Sequence, residues 1–317
     1  VNDPLLASRV LDTHDTYVIA GTFLNGRRDL AAAATIDPAR RLLNPGLRSC
    51  AVQPLADLVR LSVSEAFAVG VPSARIVDPL PILERATSLA VARFYFADSA
   101  STIDGLVAPL LDALGGVFGN PMSLPKWVPT RANLRVRRAY AALRSGVIPL
   151  VRSLVVNPGS APCFAAQVAE TALRQGHSPS RVADLLIGSL LAAQRVPAAG
   201  AAWALWRLAE NPELVEEARG SREVLGSVAL EAMRLHPPTW VLHRTASRAV
   251  RLGGHLFGRG HNFLVSPYVI HRDPELFRAA AIFDHRRWVD PGHRSSAFCS
   301  SGADSTVAPV VTPGCSL

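Results

Sequence analysis

Three groups of residues in this 317-residue chain have types and spacings that could do chemistry. The first is Glu231-Ala-Met-Arg234, with a second arginine, Arg287, further on in Phe283-Asp-His-Arg-Arg-Trp288. A carboxylate and a guanidinium at i,i+3 share one face of a helix. Alone they make a surface ion pair worth a few tenths of a kcal/mol, roughly. The second group is Ala192-Ala-Gln-Arg-Val-Pro197. It offers an amide (Gln194) and a permanent cation (Arg195), whereas Val196 and Pro197 have no proton to give. The third is the set of thiols, Cys50, Cys163, Cys299 and Cys315. With no C-x-x-C pair they argue against a disulfide framework or a structural zinc site and for a reducing cytoplasm.

Other chemistries find no support. The chain has no G-x-x-x-x-G-K-[ST], no dinucleotide G-x-G-x-x-G after a strand, no H-E-x-x-H and no D-D-x-x-D. His271 in His-Arg-Asp-Pro has no Gly-rich loop, V-A-I-K strand or D-F-G to make it a kinase loop.

The elements that must position these groups are mostly helices, because alanine and leucine dominate and β-branched alternation is rare. Apolar residues recur at helical spacing over 49–69 and over 81–97, where Pro81 suits a first turn. A basic amphipathic stretch runs from Arg131 to about Val155 after a Pro-punctuated loop at 120–130. Residues 180–209 form a long apolar helix that Ser178 or Ser180 caps and Asn211-Pro212 stops. Pro197 lies inside it, at a strain of roughly 3 kcal/mol. Glu223–Leu235 is a helix ended by Pro237-Pro238. Between 240 and 270 the glycines and Phe263-Leu-Val265 predict a small antiparallel sheet. The last residues lack periodicity and read as a frayed tail.

The ordered set Glu231-x-x-Arg234, Leu235-His-Pro-Pro-Thr-Trp240, Arg244, Ser266-Pro-Tyr-Val-Ile-His-Arg-Asp-Pro274 and Phe283-x-x-x-Arg-Trp288 resembles the C-terminal half of the cytochrome P450 superfamily. Pro125-Lys-Trp-Val-Pro-Thr130 resembles the middle of its soluble bacterial members. The resemblance spans about residues 10–290 and is strongest over 180–290. It implies a mainly α fold with a small β region, truncated at both ends relative to the family. It implies one domain over 1–294, followed by an irregular tail, 295–317. Glu231, Arg234 and Arg287 are its structural triad. Arg40, Trp240 and Arg244 match positions at which the family holds haem propionates; they either bind haem or are idle surface groups. Arg195 and Val196 fall where the family places its oxygen-activating acid and alcohol, and with the adjacent polar Gln194 they are candidates for the pocket. The thiolate motif F-x-x-G-x-R-x-C does not align with Cys299, Cys315 or the residues around Gly302.

The composition is 49% hydrophobic with a net charge of +8, almost all from arginine. No uninterrupted apolar run reaches the ~18 residues of a membrane span. The arginines are dispersed and lack interleaved aromatics, which argues against nucleic acid and for docking an acidic protein. The expectation is a degenerate, cytoplasmic, bacterial secondary-metabolism member with no cofactor. It would act as a haem-free auxiliary of a biosynthetic enzyme. The alternatives are a haem-free enzyme that rearranges or cyclises an apolar small molecule in the inherited pocket, and a truncated monooxygenase that uses haem b.

Overall fold

Asp3 opens the first helix, α1 (Pro4–Asp12), by accepting from Leu6 N at 2.8 Å. The structure, a computed structural model, describes residues 1–13, 16–18, 43, 52–70, 78–118, 128–156 and 163–289. Strand β1 (Tyr17–Val18) follows, then α2 (Val52–Gly70), α3 (Pro79–Phe96), α4 (Ala100–Phe118), α5 (Arg131–Val156), α6 (Phe164–Arg174), α7 (Pro179–Ala209), α8 (Pro212–Gly220) and α9 (Arg222–Leu235). The C-terminal part holds β2 (Leu242–Ala246), β3 (Val250–Leu252), β4 (His255–Phe257), β5 (Asn262–Val265), the short α10 (Pro267–Ile270) and a 3₁₀ turn, His285–Trp288. The fold is mainly helical with a small β region, as the residue pattern predicts.

Local chemistry sets the helix ends. α3 starts two residues before the expected 81 because Asp78 accepts from Leu80 N at 3.0 Å and Pro79 occupies the first turn. Of the two candidate serines, Ser178 caps α7, accepting from Arg181 N at 3.3 Å. Ser221 does the same for α9 through Val224 N. α4 and α6 carry no strong sequence signal; α4 even tolerates Pro109 in its interior.

Between them α3, α4, α5, α6 and α7 enclose the main core, where Ile103, Leu110, Leu143, Val147, Phe164, Leu186, Ile187 and Leu190 are buried. Polar bridges tie these helices. Asp104 of α4 accepts from Arg85 and from Ser88 of α3, and Asp184 of α7 accepts from Tyr140 and Arg144 of α5. α7 is, by composition, long and apolar enough to cross a membrane. Its first half supplies core side chains, and the helix continues through Pro197 without a break. Its last turns expose Trp203 and Trp206, and the Trp203 ring stacks on His236 at 4.0 Å.

The second core joins the N-terminus to the C-terminal sheet through Val10, Leu11, Tyr17, Leu242, Phe263, Val265, Ile270 and Phe277. Strands pair in the order β1-β2-β5, all antiparallel, with Tyr17 opposite Ala246 and Leu242 opposite Val265. β3 and β4 form a hairpin whose turn, Gly253-Gly254, has φ of 54° and 80°. Two consecutive left-handed residues are what a tight I′-type turn demands, and glycine adopts them without strain.

Candidate functional site

Glu231 and Arg234 leave α9 on one face and are completely buried. Arg234 Nε and Nη2 donate to the two oxygens of Glu231 at 2.9 and 2.8 Å. The remaining guanidinium donors reach the carbonyls of His271 and Ala280 at 2.6 Å and Ile282 at 3.1 Å. From the 3₁₀ turn, Arg287 Nε donates to Glu231 Oε1 at 3.1 Å and Trp288 Nε1 to Oε2 at 2.8 Å. Asp284 N adds a fifth donor at 3.0 Å. Arg287 Nη1 returns to the Arg278 carbonyl. Glu231 and Arg234 together thus fasten the segment 271–288 to α9. Burial works to raise the pKa of Glu231, but the hydrogen bonds from Arg234, Asp284 N and Trp288 outweigh it and hold the carboxyl below its ordinary range. His271, also completely buried, donates through Nδ1 to the Arg234 carbonyl, and burial pushes its pKa down to about 4.

Trp288 was visible in the sequence only as the end of a motif. Its role as an indole donor to Glu231 follows from the 3₁₀ turn. A second arrangement had no sequence signal. Ser227 Oγ donates to the Val224 carbonyl at 2.8 Å, lies 3.1 Å from His285 Nδ1, and His285 Nε2 stands 3.9 Å from Glu217. The order Ser–His–Glu suggests a nucleophile and base. Ser227 is buried with its proton committed to the helix backbone, however, so it does not present a nucleophile. His285 and Glu217 line a groove of about 450 Å³ together with Glu223, Val224, Arg286 and Val289.

The three pocket candidates on α7 point different ways. Gln194 is buried, and neither of its amide atoms has a hydrogen-bond partner among the described residues. Arg195 reaches outward, 3.4 Å from Glu84 of α3, with its guanidinium packed over Gly115 of α4. Val196 is half-buried. The groove at His285 and a second one beside Arg9 and Arg248 include none of them. Trp240 is 66% exposed, its carbonyl accepting from Ser266 Oγ. Arg244 is buried on β2, opposite Phe263, and its Nη1 donates to the His243 carbonyl at 3.0 Å. Arg40 and the tail 295–317 lie outside the described residues.

Comparison with known proteins bears on this arrangement directly. A family model described as Cytochrome P450 matches residues 175–300, which contain α7, α9 and the Glu231 network. Over this segment the chain is similar to the cytochrome P450 superfamily. It is 26% identical to cyclooctatin synthase of Streptomyces melanosporofaciens over 79% of this chain, spanning 60% of that protein. It is 24% identical to cyclooctat-9-en-7-ol 5-monooxygenase of the same organism over 91% of this chain and 68% of that protein. The fold superimposes on a zebrafish cytochrome P450 solved with progesterone, with a TM-score of 0.76 at 17% identity, covering 98% of this chain and 83% of that one.

Members of this P450 superfamily bind haem through a cysteine thiolate, which pushes electron density onto iron. Cys50, Cys299 and Cys315, with Arg40, lie outside the described residues. The one described free cysteine, Cys163, is buried in the helical core beside Phe164, and burial raises its pKa, which disfavours a thiolate. Where α7 would need a proton donor it carries Val196 and Pro197, and the neighbouring cation Arg195 is turned toward Glu84.

Proposed function

We propose that this P450-fold protein is a haem-free auxiliary of a biosynthetic enzyme rather than an oxygen-activating catalyst. The observation that carries this reading is the middle of α7. Arg195 is permanently charged and pairs toward Glu84, Val196 and Pro197 have no exchangeable proton, and Gln194 is sealed in the core. Delivering protons to an iron-bound oxygen needs an acid or alcohol at that place, and the helix offers none. The absence of F-x-x-G-x-R-x-C around Cys299 and Cys315 supports the same reading. The Glu231 network, by contrast, is intact and purely architectural, so the scaffold persists without the chemistry.

A second reading has its own support. The relatives named cyclooctatin synthase and cyclooctat-9-en-7-ol 5-monooxygenase match most of this chain, and a haem-dependent monooxygenase acting on an apolar alkenol would share their scaffold. The two readings separate in one spectrum. The chain is expressed with a haem precursor, reduced and exposed to carbon monoxide. The auxiliary reading expects no Soret band at the thiolate-ligated position. A stoichiometric band there overturns it in favour of the monooxygenase.

A further inference from the structure

α5 holds six arginines (131, 135, 137, 138, 144 and 152) and no aspartate or glutamate in 26 residues. The whole chain has a net charge of only +8, so most of its positive excess sits on this one helix. Two of the six are engaged: Arg144 is forked onto Asp184, and Arg137 has contacts of its own. The other four, Arg131, Arg135, Arg138 and Arg152, are exposed and have no ion-pair partner among the described residues.

Their spacing places them on one stripe. Positions 131, 135 and 138 are i, i+4 and i+7, and the stripe continues through Ala142, Ser145 and Pro149 to Arg152, all exposed. At ~1.5 Å per residue this is a ridge on the order of 30 Å long. The neighbouring carboxylates are already committed, Asp184 to α5 itself and Glu170 of α6 to Arg174. Elsewhere exposed helical arginines pair with an acid one turn away, as Arg60 does with Asp57, Arg174 with Glu170 and Arg219 with Glu216. On α5 that device is missing along the whole helix.

We infer that this ridge is a docking surface for the carboxylate-rich face of a protein partner. An uncompensated row of like charges gains by meeting opposite charge, and planar guanidiniums suit carboxylates in particular. The alternatives fit the helix less well. A helix that lies in a membrane surface needs an apolar face free for the lipid. The apolar face of α5, with Leu143, Val147 and Val151, is completely buried in the core. Nucleic-acid binding calls for aromatics between the basic residues, and the outward stripe has Ala, Ser and Pro instead. The inference stands on α5 alone and holds whether or not the protein binds haem.

The test uses the full chain and fluorescein-labelled poly-L-glutamate, read by anisotropy. The ridge variant is R131Q/R135Q/R138Q. A control of equal charge, R60Q/R174Q/R219Q, removes three arginines that are 69–71% exposed on other helices. The ridge variant is expected to bind about tenfold or more weakly, with the wild-type complex weakening as salt is added, while the control stays within about twofold. Equal losses in the two variants would reduce the effect to net charge and overturn the proposal. So would tighter binding, lost in the ridge variant, to single-stranded DNA or to vesicles of phosphatidylcholine and phosphatidylglycerol in equal parts. If the triple variant does not keep the wild-type circular dichroism, Arg135→Gln alone is read the same way, with a smaller expected loss.

Discussion

Glu231 collects donors from two arginines, an indole and a backbone amide, so its value to the fold is set by how completely the network is paired. Arg287→Ala removes one guanidinium and leaves the carboxylate under-compensated. Breaking a buried pair in this way costs about 3–5 kcal/mol, and a large fall in melting temperature is the expected result; an unchanged melt would mean that the arginine only decorates the site. The sign of the pH dependence follows from the same groups. Glu231 has a depressed carboxyl pKa, so its contribution is present above the ordinary carboxylate range and fades as pH falls through its lowered folded value. His271 also favours its unprotonated form on folding, with a pKa of about 4 against 6.5 unfolded. The contribution of His271 is therefore complete above pH 6.5 and is lost as pH falls toward about 4. Each histidine of this kind adds a slope of up to ~1.4 kcal/mol per pH unit. Urea unfolding at pH 7 and pH 5 should show the loss, and His271→Gln should flatten it. Gln194 behaves oppositely. Its buried amide has no partner among the described residues, so Gln194→Leu should stabilise the fold by about 1–2 kcal/mol, read as a raised midpoint in denaturant. A fall instead would point to a polar partner inside the core.

At the scale of elements, α7 decides most. Its N-terminal half is a core helix between α3, α5 and α6, and its C-terminal half leans on α9 through Trp203, Arg207 and His236. Pro197 sits between the two halves and leaves the Ala193 carbonyl without its helical donor. Because Pro197 is exposed, Pro197→Ala removes little packing and restores that bond. A gain of about 1–3 kcal/mol is expected, and a neutral or lower melt would show that the helix is bent to suit its neighbours. The sequence made α7 and α9 legible, since α7 has a serine cap and both are stopped by proline. It left α4 and α6 unread. Their helicity depends on being packed between neighbours, with buried side chains such as Ile103, Leu110, Phe164 and Val168, more than on any local signal.

For the whole molecule, the balance of charge and the balance of chemistry point the same way. Glu231 and Arg234 tie the C-terminal segment to α9, and much of the positive excess is carried outward on α5. In the carbon monoxide spectrum the expected outcome is a flat thiolate region, and in the poly-L-glutamate titration a salt-sensitive complex. These two measurements probe opposite sides of the functional reading and fail independently.

What the sequence determined by itself was the family resemblance and the identity of the charged network. Glu231 and Arg234 alone read as a surface ion pair; it is the resemblance, through the motifs that follow them, that joins them to the distant Arg287 as a triad. Which groups complete the network was decided by tertiary structure. Trp288, the amide of Asp284 and the carbonyls of His271, Ala280 and Ile282 converge because the segment after β5 folds back over α9. The same holds for β1, a two-residue strand with no pattern of its own, which exists because β2 offers it an edge. The separate directions of Gln194, Arg195 and Val196 were likewise beyond the sequence. Adjacent positions on a helix diverge by about 100°, and only the packing of α3 and α4 around α7 says which of them meets the core and which meets water.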